Sequence, residues 1–424
     1  MGLGYHHIIL SVEVLGMDQL RKDCRKVEVH YAAVQGSYCG ALVFLTGFVA
    51  MFLSWLGLSD SQIGLMNSTG SALTIMGQLL VGAYLDKHPD VSIKKTILKF
   101  CLLASVGAAA LYWISLPTAL GCLVFLGAYT CAQTTGALVP SLMMRFVNVG
   151  LPVDFGWPRG IGSICWASLA YVMGGIIERY SARVLMLGYV VGIVLVALAL
   201  RAMPDVEEYA GKGVPEDRII RSPIQKKPSG GYFEMLRANP TLLLFCTAAA
   251  ICFAGQTPVT VFQLRIIEGL GGGAAQFGTV ILIQSGMELP IMMLSARIMR
   301  YIKPKYLLVI CFFSYVVRHF LYANVTAISQ YYAVCFISVL CYGIWGVASV
   351  IFANQIVPHE QTTRAQSLAS FSVSIGGIIG STVSGMLIEK MGMAFTLALG
   401  WKIILCAACL MALCARLCKK KLGI

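Results

Sequence analysis

The sequence predicts an all-α membrane protein in which twelve transmembrane helices form two six-helix bundles, with both termini cytoplasmic. Three observations carry that reading. Apolar blocks of about 20 residues, each long enough to cross a bilayer as a helix, recur about twelve times along the 424 residues. Hydrophobic residues make up 58% of the chain and charged residues only 12%, with a mean hydropathy of +0.78. That is more apolar surface than a soluble core of this size can hide. Lysine and arginine gather on alternate sides of successive blocks.

Residues 1–30 form a cytoplasmic N-terminal segment marked by Arg21, Lys22, Arg25 and Lys26. No basic region precedes residues 1–16 and no small-residue cleavage site follows them, so no signal peptide is expected, and Met17 offers an alternative start. Spans follow at 31–54, 62–84, 96–114, 118–143, 155–177 and 183–202, which make an N-terminal bundle over 31–203. The one long polar, Gly/Pro-rich stretch, Pro204–Gly231, lies in a cytoplasmic linker at 204–237. Spans at 239–262, 275–296, 305–324, 329–352, 364–387 and 395–416 make the C-terminal bundle over 238–418, and residues 419–424 form a basic cytoplasmic tail. Each span has to be regular helix, because lipid satisfies no backbone polar group.

Orientation follows from the basic residues. Lys87, Lys94, Lys95 and Lys99 share a side with the N-terminal cluster, and so do the linker residues Lys212, Arg218, Arg221, Lys226, Lys227 and Arg237. Arg297, Arg300, Lys303, Lys305 and the tail Lys419, Lys420 and Lys421 join them. The opposite side has Arg179, Arg183, Arg265, Lys390 and Lys402. About 25 of the 32 basic residues therefore mark the cytoplasmic side and about 5 the other. The net charge of +13 is largely this bias, and with no compact basic-aromatic domain a nucleic-acid partner is not expected. The 15 cysteines fall singly inside the spans. Even Cys406 and Cys409, spaced C-x-x-C, read as small apolar residues of a helix, so neither a metal site nor a disulfide framework is expected.

The halves echo one another. Gly174-Gly175-Ile176-Ile177-Glu178-Arg179 closes the fifth span and Gly385-Met386-Leu387-Ile388-Glu389-Lys390 closes the eleventh, 211 residues later. Duplicated six-span halves around a midplane site are a transporter architecture. Between spans two and three, Gly82-Ala83-Tyr84-Leu85-Asp86-Lys87 resembles the G-x-x-x-D-[RK] loop signature of the major facilitator superfamily. Gly82 would let helices approach closely, while Asp86 and Lys87 would supply charge to a cytoplasmic gate. A narrower likeness runs from Phe155 to Ala167. Its aromatic-Gly-x-x-Arg, later Gly and Trp-Ala resemble the fifth helix of the lactose permease, nucleoside:proton symporter and phenylpropionate permease group. Gly57-Leu58-Ser59 with Gln62-Ile63-Gly64-Leu65 fits the same group.

Candidate solute contacts follow from spacing. Arg159, Ser163 and Trp166 stand at i, i+4 and i+7 and share a helix face; a guanidinium fork binds hydroxyls or a carboxylate, and an indole stacks on a ring. The resemblance implies that Arg159 and Trp166 contact a sugar. Tyr31, Gln35 and Tyr38 repeat at the same spacing on span one. Gln256 and Gln263 share a face of span seven, Gln284 lies one turn before Glu288, and Tyr342 and Trp345 share a face of span ten. Glu288 and Arg318 sit near the middle of spans eight and nine. Charge at that depth costs about 2.5–3.5 kcal/mol per group, so the two are expected to pair within a wet interior. The resemblance implies an essential glutamate and arginine at these places.

The chain also departs from that group. The fourth-helix carboxylate that partners the fifth-helix arginine is replaced by the stretch Pro140-Ser141-Leu142-Met143. The tenth-helix lysine, histidine and glutamate of proton coupling are replaced by Cys341-Tyr342-Gly343-Ile344-Trp345-Gly346. Glu288 is left as the clear carboxylate within the spans and the default proton carrier, with burial and the nearby arginine acting on its proton in opposite senses.

The expected function is secondary active transport of a small polar solute, saccharide or nucleoside in type, by proton symport and alternating access. An organic-anion (aromatic carboxylate) permease or an uncoupled facilitator is the alternative, since Arg159 could find its counter-charge in the solute. No intramembrane cluster has catalytic spacing, so an enzyme is not expected, and no G-x-x-x-x-G-K-[ST] loop supports ATP drive. No cofactor is expected. The expected setting is the plasma membrane, as a monomer among lipids whose partners are the solute and a co-transported proton.

Overall fold

The computed structural model describes residues 3–88, 90–154, 156–209, 232–358 and 361–422, and every element among them is helical. The chain runs through α1 (Leu3–Leu42), a π-helical turn (Val43–Gly47), α2 (Val49–Trp55), α3 (Asp60–Lys87), α4 (Ile93–Trp113), α5 (Thr118–Thr134), a 3-10 turn (Thr135–Ala137), α6 (Leu138–Asn148), α7 (Gly156–Arg179) and α8 (Val184–Ala202). After the linker come α9 (Tyr232–Ala238), α10 (Pro240–Gly255), α11 (Thr257–Thr260), α12 (Gln263–Gly269), α13 (Ala274–Tyr301), α14 (Pro304–Tyr322), α15 (Ile328–Cys335), α16 (Ser338–Gln355) and α17 (Thr362–Leu422). Gly392, at φ 82° and ψ 167°, divides α17 into two helices; that backbone excludes most side chains and marks the expected break between 387 and 395.

Helix, whole or broken, occupies each of the twelve apolar blocks. By length and composition, seven helices among the described residues are long and apolar enough to cross a membrane, or nine if each of two bent pairs counts as one span. The difference from twelve has physical reasons. α3 and α13 are 28 residues each but carry polar rows, Asn67, Ser71, Thr74 and Gln78 on one and Gln284, Ser285 and Glu288 on the other. α17 holds two apolar blocks in one run. Exposed Leu103, Val106, Leu123, Val191, Leu195 and Leu198 clothe the outside in apolar side chains, as a bilayer requires.

α1 runs unbroken from Leu3 through the N-terminal segment into the first span. The basic tail likewise continues α17 as far as Leu422. Most of the linker, 210–231, including Lys212, Arg218, Arg221, Lys226 and Lys227, lies outside the described residues.

Local chemistry explains the starts and breaks. Gly57, at φ +88°, turns the chain, and Ser59 with Gln62 forms a capping box: Gln62 N donates to Ser59 Oγ at 3.4 Å and Ser59 N to Gln62 Oε1 at 2.9 Å. The Gly57-to-Leu65 likeness is thus a turn and a helix start. Pro140 and Pro258 lack an N–H and crowd the carbonyl four residues earlier, Gly136 and Ala254, where the 3-10 turn and the α10/α11 break fall.

Two apolar cores result. One runs through α1 to α8 but also takes in Val259, Phe262, Phe277, Ile281, Tyr322 and Tyr331. The other joins α9, α10, α14, α16 and α17. The first core crosses the linker because α7 packs on α13 and α3 on α17 at one end of the molecule. There Gly174 and Gly385 are needed: a Cβ on either would sit 2.4 Å from a backbone oxygen, of Ala274 and Asp60 respectively. Glu178 Oε1 accepts from Ala275 N at 3.0 Å and Glu389 Oε2 from Ser61 N at 2.9 Å, so each echo motif caps the start of a helix across the seam. Arg265 adds an ion pair to Asp60 at 3.0 Å and a hydrogen bond to Ser54 Oγ at 3.2 Å.

Candidate solute cavity

A cavity of about 660 Å³ opens where the broken helices meet. The π-helical turn after α1, the 3-10 turn before α6, α11 and the start of α16 all reach its wall. The π turn has a local cause: Thr46 Oγ1 donates back to Leu42 O at 2.9 Å, next to Gly47.

α7 carries Arg159, Ser163 and Trp166 into the wall together, as their spacing predicted. Its entry is held by Glu28, which accepts from Asp154 N at 2.7 Å and from Trp157 Nε1 at 3.0 Å, while the Arg25 guanidinium lies 4.6 Å from the Trp157 ring. Residue 155 lies outside the described residues. Close packing on α1 seats the helix: a Cβ on Gly162 would meet Gln35 Cγ at 2.9 Å, and one on Gly47 would touch Trp166 at 3.4 Å. Arg159 is exposed and has no ion pair among the described residues.

Gln35 and Tyr38 line the cavity and Tyr31 does not. Tyr31 is wholly buried and its hydroxyl donates to Gln35 Oε1 at 3.2 Å, which makes it a brace for Gln35. The Tyr38 hydroxyl donates to Ala132 O at 3.1 Å and accepts from Thr135 Oγ1 at 3.0 Å, tying α1 to the end of α5.

On the other wall stand Gln284, Glu288, Arg318 and Tyr342. Gly286 and Pro290 flank Glu288 and loosen the α13 backbone beside it, a signal present in the sequence. Among the described residues no ion pair joins Glu288 to Arg318. Arg318, 3% exposed, donates from Nη1 to Ser338 Oγ at 3.0 Å and lies over the rings of Tyr315 and Tyr322 at 5.0 and 5.9 Å; its Nε has no partner among the described residues. Similar depth brought both to one cavity, but α13 and α14 each pack on α16 rather than on one another, and depth did not fix the direction of either side chain. Gln284 Nε2 donates to the Tyr322 hydroxyl at 3.3 Å and Gln263 Nε2 to the Tyr331 hydroxyl at 3.0 Å, and the two tyrosine rings stack at 4.3 Å. This polar-aromatic cage around Arg318 draws on five helices, α12 to α16; Gln263 and Gln284 were expected from spacing, while Tyr315, Tyr322, Tyr331 and Ser338 give no signal within a single helix.

Besides Tyr31, two more expected contacts fall elsewhere. Trp345 is buried among Phe245, Phe253 and Phe312, and Gln256 lines a neighbouring pocket. In the gating loop, Gly82 faces open space, so the close approach expected there is absent in this structure. Lys87 is exposed, and the Asp86 side chain lies outside the described residues. Among the described residues no group of His, Cys, Asp or Glu could hold a metal.

A family model of the MFS_1-like family matches residues 36–399, which is most of the chain and both walls of the cavity. The chain belongs to that family. It is therefore a multi-pass integral membrane transporter of the major facilitator superfamily, not an enzyme, and it acts on a small-molecule solute. Sugar efflux transporter C of Escherichia coli (strain K12) is 25% identical over 350 residues, covering 76% of this chain and 79% of that protein. Among solved structures, the nucleoside transporter NupG superposes with a TM-score of 0.73 at 14% identity, covering 92% of this chain and 98% of that one. A bacterial homolog of the human lysosomal transporter Spinster, inward-facing and unoccupied, gives a TM-score of 0.68 at 13% identity, covering 93% and 97%.

Proposed function

We propose that this MFS_1-like protein is a secondary active transporter of a saccharide- or nucleoside-type solute, working by alternating access with proton symport in the plasma membrane. One observation carries the reading. A single cavity gathers a guanidinium and an indole from one helix face, Arg159 and Trp166, with neutral hydrogen-bonding groups and one carboxylate, Glu288. An indole and a guanidinium fork suit a hydroxylated ring. The sugar efflux relative and the fold shared with a nucleoside transporter support the same class.

The proposal takes all twelve blocks as spans, in bundles 31–203 and 238–418 of a monomer. Residues 1–30, the linker 204–237 and the tail 419–424 lie in the cytoplasm, as the basic bias requires. The end joined by Glu178 and Glu389 then faces outward, and the cavity opens toward the cytoplasm. Glu288, the carboxylate in the wall, is the proton carrier. Arg318 holds positive charge near it through Ser338 without occupying it. Gly82, Asp86 and Lys87 close the inner end when the outer seam opens.

A second reading has its own support. Two guanidiniums face one carboxylate in the wall, a surplus of positive charge that suits an aromatic carboxylate. Proteoliposomes with an imposed pH gradient separate the two. The proposal expects gradient-driven accumulation of a labelled sugar or nucleoside, lost in Glu288→Gln while exchange across the membrane persists. Accumulation of aromatic carboxylates alone would replace it with the anion reading, and equilibration without accumulation would make the protein a facilitator.

A further inference from the structure

Beside the main cavity lies a second pocket of about 310 Å³, and Thr260 and Tyr342 line both. Its wall has a different chemistry. Among the described residues no lining side chain is charged; four are amides (Asn67, Gln78, Gln133 and Gln256) and most of the rest carry hydroxyls. The α3 contributions, Asn67, Ser71, Thr74 and Gln78, recur at i, i+4, i+7 and i+11, a polar stripe along one helix face.

The wall is only partly satisfied by the protein. Among the described residues Gln256, 2% exposed, has no partner for Oε1, and Thr74, 9% exposed, has none for its hydroxyl. Gln78 Nε2 donates to Gln133 O at 3.1 Å and Gln133 Nε2 to the Tyr129 hydroxyl at 3.4 Å, which spends amide donors and keeps both amide oxygens as acceptors. Burying polar atoms without partners lowers stability, so their presence at a pocket wall points to a ligand that completes them. Phe253 and Tyr342, edge to face at 5.9 Å, add apolar ring surface. An ionised group would be desolvated there with no counter-charge. A sugar ring offers hydroxyl donors and acceptors, an apolar face and no charge.

We propose that this pocket is a second subsite, for a neutral polyhydroxylated ring, so that the solute spans at least two rings. One ring lies on Arg159 and Trp166, and the other completes Thr74 and Gln256. The inference rests on the saccharide-or-nucleoside reading, and the second ring is either the next unit of an oligosaccharide or the ribose of a nucleoside.

The test uses the full-length protein in detergent, with glucose, maltose and uridine as probes of equilibrium binding. Wild type should bind maltose or uridine at least about tenfold tighter than glucose. Thr74→Val, nearly isosteric, and Gln78→Met should each weaken the two-ring probe by about tenfold and shift glucose by less than about twofold. Empty Thr74→Val should also melt higher than wild type, because the unpartnered hydroxyl is gone, which shows that the variant is folded. Loss confined to maltose identifies an oligosaccharide, and loss confined to uridine a nucleoside. If the two-ring probes bind wild type no tighter than glucose, or the variants leave them unchanged, the pocket is a water-filled lobe and the proposal falls while the transporter reading stands. If none of the three probes binds wild type, the saccharide-or-nucleoside reading fails and takes this inference with it.

Discussion

The seam between α7 and α13 and between α3 and α17 makes a quantitative prediction. In Gly174→Ala and Gly385→Ala the added Cβ would lie 2.4 Å from the carbonyl oxygens of Ala274 and Asp60, where ordinary contacts are 3.4–4 Å. Those oxygens belong to backbone and cannot rotate away, so each helix pair has to part by roughly 1 Å at that point, at an overpacking cost of about 1–3 kcal/mol. The cost applies to the closed seam and vanishes once the helices separate, so it acts on a conformational equilibrium. A shift of about 1–3 kcal/mol changes that equilibrium by about 5- to 150-fold. The doubly substituted protein should spend far more of its time open at this end. Cys39 lines the cavity and is not paired, so its alkylation reports access. With a membrane-impermeant maleimide added outside intact cells and Cys39 read by mass spectrometry, the double variant should react at least about fivefold faster than wild type. An unchanged rate in a variant that retains its melting temperature would refute the idea that the glycine contacts hold this end closed.

Trp166→Ala should weaken binding of a ring-bearing solute by about 1–3 kcal/mol through lost stacking and apolar contact, as measured by titration calorimetry. Arg159→Gln should weaken an organic anion far more than a neutral sugar, and unchanged binding of the identified solute would reduce Arg159 to an interfacial anchor. Glu28→Gln should leave the fold intact but lower transport, since the carboxylate that accepts from Asp154 N and Trp157 Nε1 holds the start of α7; equal transport would show that α7 needs no such anchor. A cysteine replacing Lys226 should label only from the cytoplasmic side, and labelling from outside would overturn the proposed topology.

The parts legible in the sequence were those governed by one helix at a time. Apolar length placed the helices, and the i, i+4, i+7 spacing put Arg159, Ser163 and Trp166 on a common face. Burial cost brought Glu288 and Arg318 to the interior. What the sequence left open needs relations between helices. Tyr31 shares a face with Gln35 and Tyr38 yet turns into the packing as a brace, and Trp345 shares one with Tyr342 yet fills an aromatic core. Periodicity sets a direction around a helix but does not say where lining ends and packing begins. The partner of Arg318 was missed for the same reason: Ser338 is a residue of low intrinsic signal whose position at the α15/α16 break brings its hydroxyl to the guanidinium. The three prolines Pro140, Pro258 and Pro290 were a usable signal, because each frees a carbonyl one turn earlier: that of Gly136 in the cavity wall, and those of Ala254 and Gly286 close in sequence to the lining residues Val259 and Ser285.

The echo between the fifth and eleventh spans gains its meaning from the seam. Gly174 and Gly385 lie 211 residues apart and meet backbone oxygens at the same distance; Glu178 and Glu389, at the same interval, accept from the amides of Ala275 and Ser61, the second residues of α13 and α3. The partners answer in kind, since a Cβ on Gly278 would meet Ala170 O and one on Gly64 would meet Ser381 O. Two copies of one device therefore hold one end of the molecule, on opposite flanks of the cavity. Breaking a single copy leaves the other as a pivot and tilts the halves, while opening the cavity requires both to part in the same motion. A solute spanning both pockets, as proposed, would reach Arg318 on the α13 side and Thr74 on the α3 side and so act on both flanks at once. Such a solute can shift the equilibrium between the two ends only by the difference in its affinity for the two states. That is why a repeated seam at one end of the cavity fits the alternating access proposed above better than a passive pore.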